Sequence, residues 1–298
     1  MTYSIVARDP ETGELGVAVQ SHFFAVGSVV SWAEAGAGAV ATQSVTEPAC
    51  GRRGLGLMRD GASAPEALHR LIADDPQEAN RQLGLVDRLG SVAVHTGGRC
   101  IGAAGHRVAG QASAQANMMR GGSVPDAMVD AYGPARGDLA ARLMAALEAA
   151  ERVGGDIRGR QSAALVVVGG QSRGDPALDT RYDLRVDDHH EPVSELRRLL
   201  ELKRAYDLIG VAEQFAAAGD LELALEHYQA ARELQPGNAE LAFWHGVALA
   251  AASREREARG PLGQAFAAGE AWRELLERLP AAGLLPDDDP ELVARLSA

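Results

Sequence analysis

The chain has 298 residues, 46% of them hydrophobic and 23% charged, a globular balance with enough apolar material for two domains. Its formal net charge of -12 and pI near 5.2 exclude nucleic acid and anionic membrane as main partners, because both select basic surfaces. No uninterrupted apolar run is long enough to cross a bilayer and no signal peptide is visible, so the expected location is cytoplasmic.

Thr2 opens a strand-like run, Tyr3-Ser4-Ile5-Val6-Ala7-Arg8. A polar turn, Asp9-Pro10-Glu11-Thr12-Gly13-Glu14, leads into a second run, Leu15 to Gln20. Two such runs around a Pro/Gly/Asp turn predict an antiparallel hairpin. The register that sets Asp9 opposite Glu14 sets Thr2 opposite Ser21, with His22 beside it. Ser28 to Trp32 and Ala37 to Gln43 read as two more strands separated by glycine turns. The first strands are apolar or small on both faces, which places them in a sheet covered on both sides.

Two helices are predicted next. Pro48 to Arg59 stops at Asp60-Gly61. Ser63 caps the second, with Pro65 and Glu66 in its first turn and Leu68, Leu71 and Ile72 as its apolar stripe. Strands resume at Gln82 to Asp87 and Ser91 to His95, joined by Arg88-Leu89-Gly90. Cys100 to Gly105 and Arg107 to Ala116 read as further strands. Residues 123–133 and 138–153 read as helices, the second capped by Asp138. Gln161 to Val168 is a buried strand, and Asp179 to Val186 alternates as one more. This order of strands, helices, strands, helices and strands predicts an α/β fold of two mainly antiparallel sheets in a four-layer αββα sandwich over residues 1–190.

From Glu191 the strand signal ends, and residues 191–298 read as an all-α region. Gly219 aligns with Ser253, Ala224 with Ala258, Tyr228 with Leu262 and Ala231 with Ala265. The offset of about 34 residues is the tetratricopeptide length. The second copy is degenerate, and fewer than three repeats rarely stand alone. The tail is therefore expected to pack on the long helix from Glu191, on a neighbouring subunit, or on both. Residues 206–298 are the candidate surface for a protein partner, and a homodimer is expected. Cys50 and Cys100 form no CxxC pair and fit free thiols in a reducing compartment.

Thr2 is the first candidate for chemistry. Removal of Met1 would leave it with a free amine and a hydroxyl, a base and a nucleophile in one residue. Ser21 and His22 either tune that amine, bind substrate, or are ordinary polar residues at a strand end. Asp187-Asp188-His189-His190 lacks metal-ligand spacing and reads as a linker capping the next helix. The glycine-rich stretches match no phosphate loop. No cofactor or metal is expected.

The stretches TYSIVARDPETGELGVAVQS, AVGSVVSWAEAGAGAVATQS, RQLGLVD, RGRQSAALVVV and YDLRVDDHHEPVSELRRLL together resemble the bacterial domain of unknown function 1028 family, over roughly residues 2–205. That family is similar in fold to the N-terminal-nucleophile (Ntn) hydrolases, and the resemblance implies their αββα sandwich. Some members carry a small C-terminal domain described as peptidoglycan-binding, whereas this tail resembles tetratricopeptide repeats. Thr2 matches the position of the Ntn nucleophile, which implies hydrolysis of a small amide or peptide-like substrate. Asn117 and backbone amides near Ser44 are the candidate oxyanion donors. Ntn sites commonly hold a Lys or Arg near the nucleophile, and His22 departs from that pattern. Arg160 either orients a carboxylate substrate or forms a structural ion pair with Asp187 or Asp188. The competing reading is a catalytically inactive binding or assembly module that works through its helical tail.

Overall fold

The computed structural model describes residues 2–73, 75–286, 289 and 291–297. It forms two compact units, Met1–Arg198 and Leu199–Ala298.

The first unit contains strands β1 (Thr2–Arg8), β2 (Leu15–Ser21), β3 (Ser31–Glu34) and β4 (Gly38–Ser44), then helices α1 (Pro48–Arg59) and α2 (Ala64–Ile72). Strands β5 (Arg81–Asp87), β6 (Val92–Thr96), β7 (Gly105–Ala109) and β8 (Ala112–Ala116) follow. Helices α3 (Val124–Tyr132) and α4 (Leu139–Arg152), strand β9 (Ser162–Val168), the short helix α5 (Pro176–Asp179) and strand β10 (Thr180–Val186) complete it. One sheet runs β10-β9-β2-β1-β8-β7 and the other β3-β4-β5-β6. All the strand pairs are antiparallel.

The layering follows from which faces are apolar. Val6, Val17 and Val19 of the first sheet meet Ala39, Ala41 and Val86 of the second in one buried cluster. On the outer face of the second sheet, Val40, Leu83 and Leu85 pack on Leu55, Met58, Leu68 and Leu71 of α1 and α2. Helix α4 covers β1, β2 and β9, and α3 covers β7 and β8. The result is helices, sheet, sheet, helices, as expected for this composition of strands. Helix α1 approaches β3 so closely that a Cβ on Gly51 would stand 2.2 Å from Trp32 Cδ1. Helix α2 starts with the predicted cap: Ser63 Oγ accepts from Glu66 N, and Glu66 Oε2 accepts from Ser63 N at 2.8 Å.

Several boundaries differ from expectation. The segment Arg107–Ala116 is a hairpin, β7 and β8, turned at Gly110 with φ +55. Cys100 to Ala104 carries no strand. Residues Val26–Ser28 form a 3-10 turn, so β3 starts only at Ser31. Both cysteines are free.

The second unit is helical. Helix α6 (Pro192–Ala217) starts in the first unit and leads into α7 (Leu221–Leu234), α8 (Ala239–Ala251), α9 (Glu255–Ala268), α10 (Ala271–Arg278) and α11 (Leu292–Ser297). Ala224, Tyr228 and Ala231 of α7 are buried, and so are Ala258, Leu262 and Ala265 of α9. The residues before the paired helices, Gly219 and Ser253, both have left-handed backbone, with φ +84 and +61. The internal repeat read from the sequence is thus a repeat of backbone geometry as well. No helix among the described residues is long and apolar enough to cross a membrane.

Candidate functional site around Thr2

Strands β1 and β2 pair in the predicted register, Thr2 opposite Ser21. Strand alternation sends Thr2, Ser4 and Val6 towards the second sheet. Tyr3 points the other way and donates its hydroxyl to Glu151 of α4. Burial, reinforced by that carboxylate, raises the Tyr3 pKa well above its ordinary value.

Thr2 is 3% exposed. Its hydroxyl donates to Ser21 Oγ at 3.1 Å. Its backbone N donates to Asn117 O at 3.3 Å, and its carbonyl accepts from Asn117 N at 3.1 Å. Behind it lies a polar layer between the two sheets. Gln43 Nε2 donates to Thr2 O at 3.2 Å and to Gln82 Oε1 at 2.8 Å. Ser4 Oγ donates to Gln43 Oε1 at 2.7 Å and accepts from Gln115 Nε2 at 2.7 Å. Asn117 Nδ2 reaches Gln82 Oε1 at 2.8 Å and Thr2 O at 3.4 Å. All these side chains are buried. Their mutual bonds offset the cost of removing amides from water and hold the start of β1 in place.

In front of Thr2 is a cavity of about 320 Å³, lined by Thr2, Phe23, Val26, Val30, Ser44 and Pro48 among others. Ser44 has left-handed backbone, φ +74, an uncommon geometry for a residue with a Cβ. Pro48, which opens α1 and carries no N–H, borders the cavity, and the Glu47 carboxylate caps that helix end by accepting from Ala49 N at 3.1 Å. A hydroxyl backed by fixed acceptors, a half-apolar chamber and the Thr46 amide on its wall, which has no protein acceptor among the described residues, form an arrangement able to position a small carbonyl compound.

The structure brings together four of the six residues singled out from the sequence: Thr2, Ser21, Asn117 and Ser44. Asn117 sits behind Thr2, fully buried, with its amide nitrogen engaged by Gln82 and Thr2; it holds the strand rather than facing the cavity. His22 donates its backbone N–H to Asp156 Oδ2 at 3.2 Å, and its ring Nδ1 is buried without a hydrogen-bond partner. Arg160 is ion-paired with Glu151 and Glu191, not with Asp187 or Asp188. Its partners come from α4 and from the approach to α6, neither of which is adjacent in sequence. Asp188 instead accepts from Gln161 Nε2 at 3.2 Å. His189 Nδ1 accepts from Glu191 N at 3.0 Å. Among the described residues no group of three or more His, Cys, Asp or Glu could hold a metal ion.

Gln43 and Gln82 escaped sequence reasoning. Each strand carries one glutamine near its end, which looks like a solvated rim position, and only the first sheet stacked over β4 and β5 makes it interior. The one available signal was their neighbourhood of Ala, Thr and Gly, too small-sided for an exposed sheet.

A domain-family model described as a family of unknown function, DUF1028, matches residues 2–196. No curated protein matches the chain. Among solved structures, the crystal structure of protein SPO2555 from Silicibacter pomeroyi, also matched to DUF1028, is similar at 33% sequence identity and a TM-score of 0.61. The match covers 67% of this chain and 84% of that one. Family match, fold and register at Thr2 all concern the same N-terminal unit, and the chain belongs to the DUF1028 family.

Proposed function

We propose that the protein is an N-terminal-nucleophile amidohydrolase acting on a small amide or peptide-like substrate. The observation that carries this reading is the Thr2 hydroxyl, 3.1 Å from Ser21 Oγ, on the wall of a cavity of about 320 Å³ at the start of β1. Once Met1 is removed, the Thr2 amine, with a pKa of about 7.7–8.0, takes the hydroxyl proton. Oγ1 bonds to the substrate carbonyl carbon, and the Thr46 backbone amide, beside Ser44 on the cavity wall, holds the oxyanion. The C–N bond breaks as the Thr2 ammonium returns the proton to the leaving amine. Water then adds to the ester with the amine as base, and the acid departs, restoring Thr2. Ser21 anchors the hydroxyl at rest. Asn117 and Gln43 fix the Thr2 carbonyl, which makes them positioning residues. The valine walls favour a substrate with an apolar acyl group.

Intact mass shows whether Met1 is removed. Turnover of an amide and acyl-ester library is then compared among native protein, Thr2→Ala and Thr2→Ser. Loss in the alanine variant with partial retention in the serine variant is expected. A protein that keeps Met1 and is as inert as Thr2→Ala sinks the reading.

The second reading is an assembly module that binds a protein partner through tetratricopeptide-like helices in residues 206–298. It draws on a groove of about 450 Å³ in the helical unit, lined by Arg232, His245, Arg254, Glu222, Glu226 and Glu257 among others. A stable partner in a pulldown, lost when residues 206–298 are deleted, would favour it. Sedimentation of the full chain tests the accompanying homodimer.

A further inference from the structure

At the far end of β1 from Thr2, about 20 Å along the strand, the turns after β1 and β9 enclose a cavity of about 590 Å³. Its floor is backbone. A Cβ on Gly170 would stand 2.7 Å from Gly13 C and O, so the two turns can touch only as glycines. Three arginines line it, Arg8, Arg88 and Arg173, and none forms an ion pair among the described residues. Arg8 is held by neutral oxygens only: Nε donates to Arg88 O at 2.9 Å and Nη1 to Gln111 Oε1 at 2.8 Å. Its Nη2 faces Gly13, 3.6 Å from where a Cβ would be. Of the two acids on the lining, Glu11 and Asp179, Asp179 already accepts from Ser172 Oγ and Arg173 N at 2.7 Å each. The amides of Gly170 and Gln171 have no protein acceptor among the described residues.

We propose that this cavity binds the phosphate group of a small phosphorylated molecule. Three arginines without ion pairs converge on this one cavity, which concentrates positive charge on a chain of net charge -12. A carboxylate is satisfied by one guanidinium fork, whereas a phosphate accepts from several donors at once. Adjacent glycine-rich amides add further donors without side-chain bulk. The site is separate from Thr2 and does not depend on its chemistry.

The test is calorimetric titration of the full-length protein with inorganic phosphate, pyrophosphate and citrate at constant ionic strength. Saturable phosphate or pyrophosphate binding is expected. It should weaken at least tenfold in Arg8→Gln, and likewise in Arg88→Gln/Arg173→Gln, whose exposed side chains leave the fold intact. Thr2→Ala should bind as the native protein does. The proposal is overturned by absent saturation, by binding that survives the double variant, or by citrate binding without phosphate binding.

Discussion

Gln43→Leu removes the centre of the polar layer while keeping the side chain near its original size. Gln43 is fully buried. Its amide donates to Gln82 Oε1 at 2.8 Å and to Thr2 O at 3.2 Å, and its Oε1 accepts from Ser4 Oγ at 2.7 Å. Both acceptors keep a second donor, because Asn117 reaches Gln82 Oε1 and Thr2 O independently. The Ser4 hydroxyl loses its acceptor. Gln43 Nε2 also donates to Gln115 O at 3.2 Å, so its two amide hydrogens serve three acceptors; one bond per hydrogen and one at Oε1, at about 1 kcal/mol each, give a destabilisation of about 3 kcal/mol. For a unit of this size that lowers Tm by about 6–12 °C. Scanning calorimetry of the full chain, which resolves separate transitions for separate units, reads the shift. The double variant Ser4→Ala/Gln43→Leu removes the stranded hydroxyl but leaves the buried Gln115 Nε2 without its acceptor, so it should be no more stable than Gln43→Leu alone. A Gln43→Leu protein that melts within about 2 °C of native, less than 1 kcal/mol for a unit of this size, would show that the layer does not hold the sheets together.

Asp75→Asn leaves Arg81 buried without its carboxylate, the pair lying at 2.7 Å with side chains only 8% and 12% exposed. A loss of about 3–5 kcal/mol in urea unfolding is expected, and a loss under 1 kcal/mol would refute the pairing argument. Gly51→Ala forces Trp32 aside, costing about 1–3 kcal/mol and changing Trp32 fluorescence; an unchanged spectrum would contradict the packing of α1 on β3. In the helical unit, burial first and the neighbouring Arg232 and Arg254 next push the His245 pKa down from 6.5 to about 4. The unfolded chain therefore takes up a proton near pH 6.5 that the folded chain refuses until about pH 4. Stability from this group is complete above pH 6.5 and falls between those values. Trp244 and Trp272 fluorescence should show a lower urea midpoint at pH 5 than at pH 7, and His245→Gln should shrink the difference. An equal drop in the variant would reject this assignment.

The β1–β2 register was legible because the Asp9–Glu14 turn fixes it locally, and that register alone put Ser21 beside Thr2. The α2 cap and the ends of α1 were equally local and equally readable. The β7–β8 hairpin was not, because Ala and Gly carry little alternation and Gly110 resembles its neighbours. Gln43 and Gln82, on the second sheet, became interior only through the stacking of the first sheet over them. The partners of Arg160 lie in Glu151 and Glu191, contacts that only the folded chain assembles. Local chemistry could be read from the sequence, and contact across layers could not.

Gly219 and Ser253 adopt the same left-handed bend although only one of them is a glycine. The bend is thus imposed by the helices on either side, and a side chain there is tolerated at a cost of about 1–2 kcal/mol. Searches that count helical pairs by residue pattern will pass over such copies, and superposing the backbone of each hairpin on the next will find them.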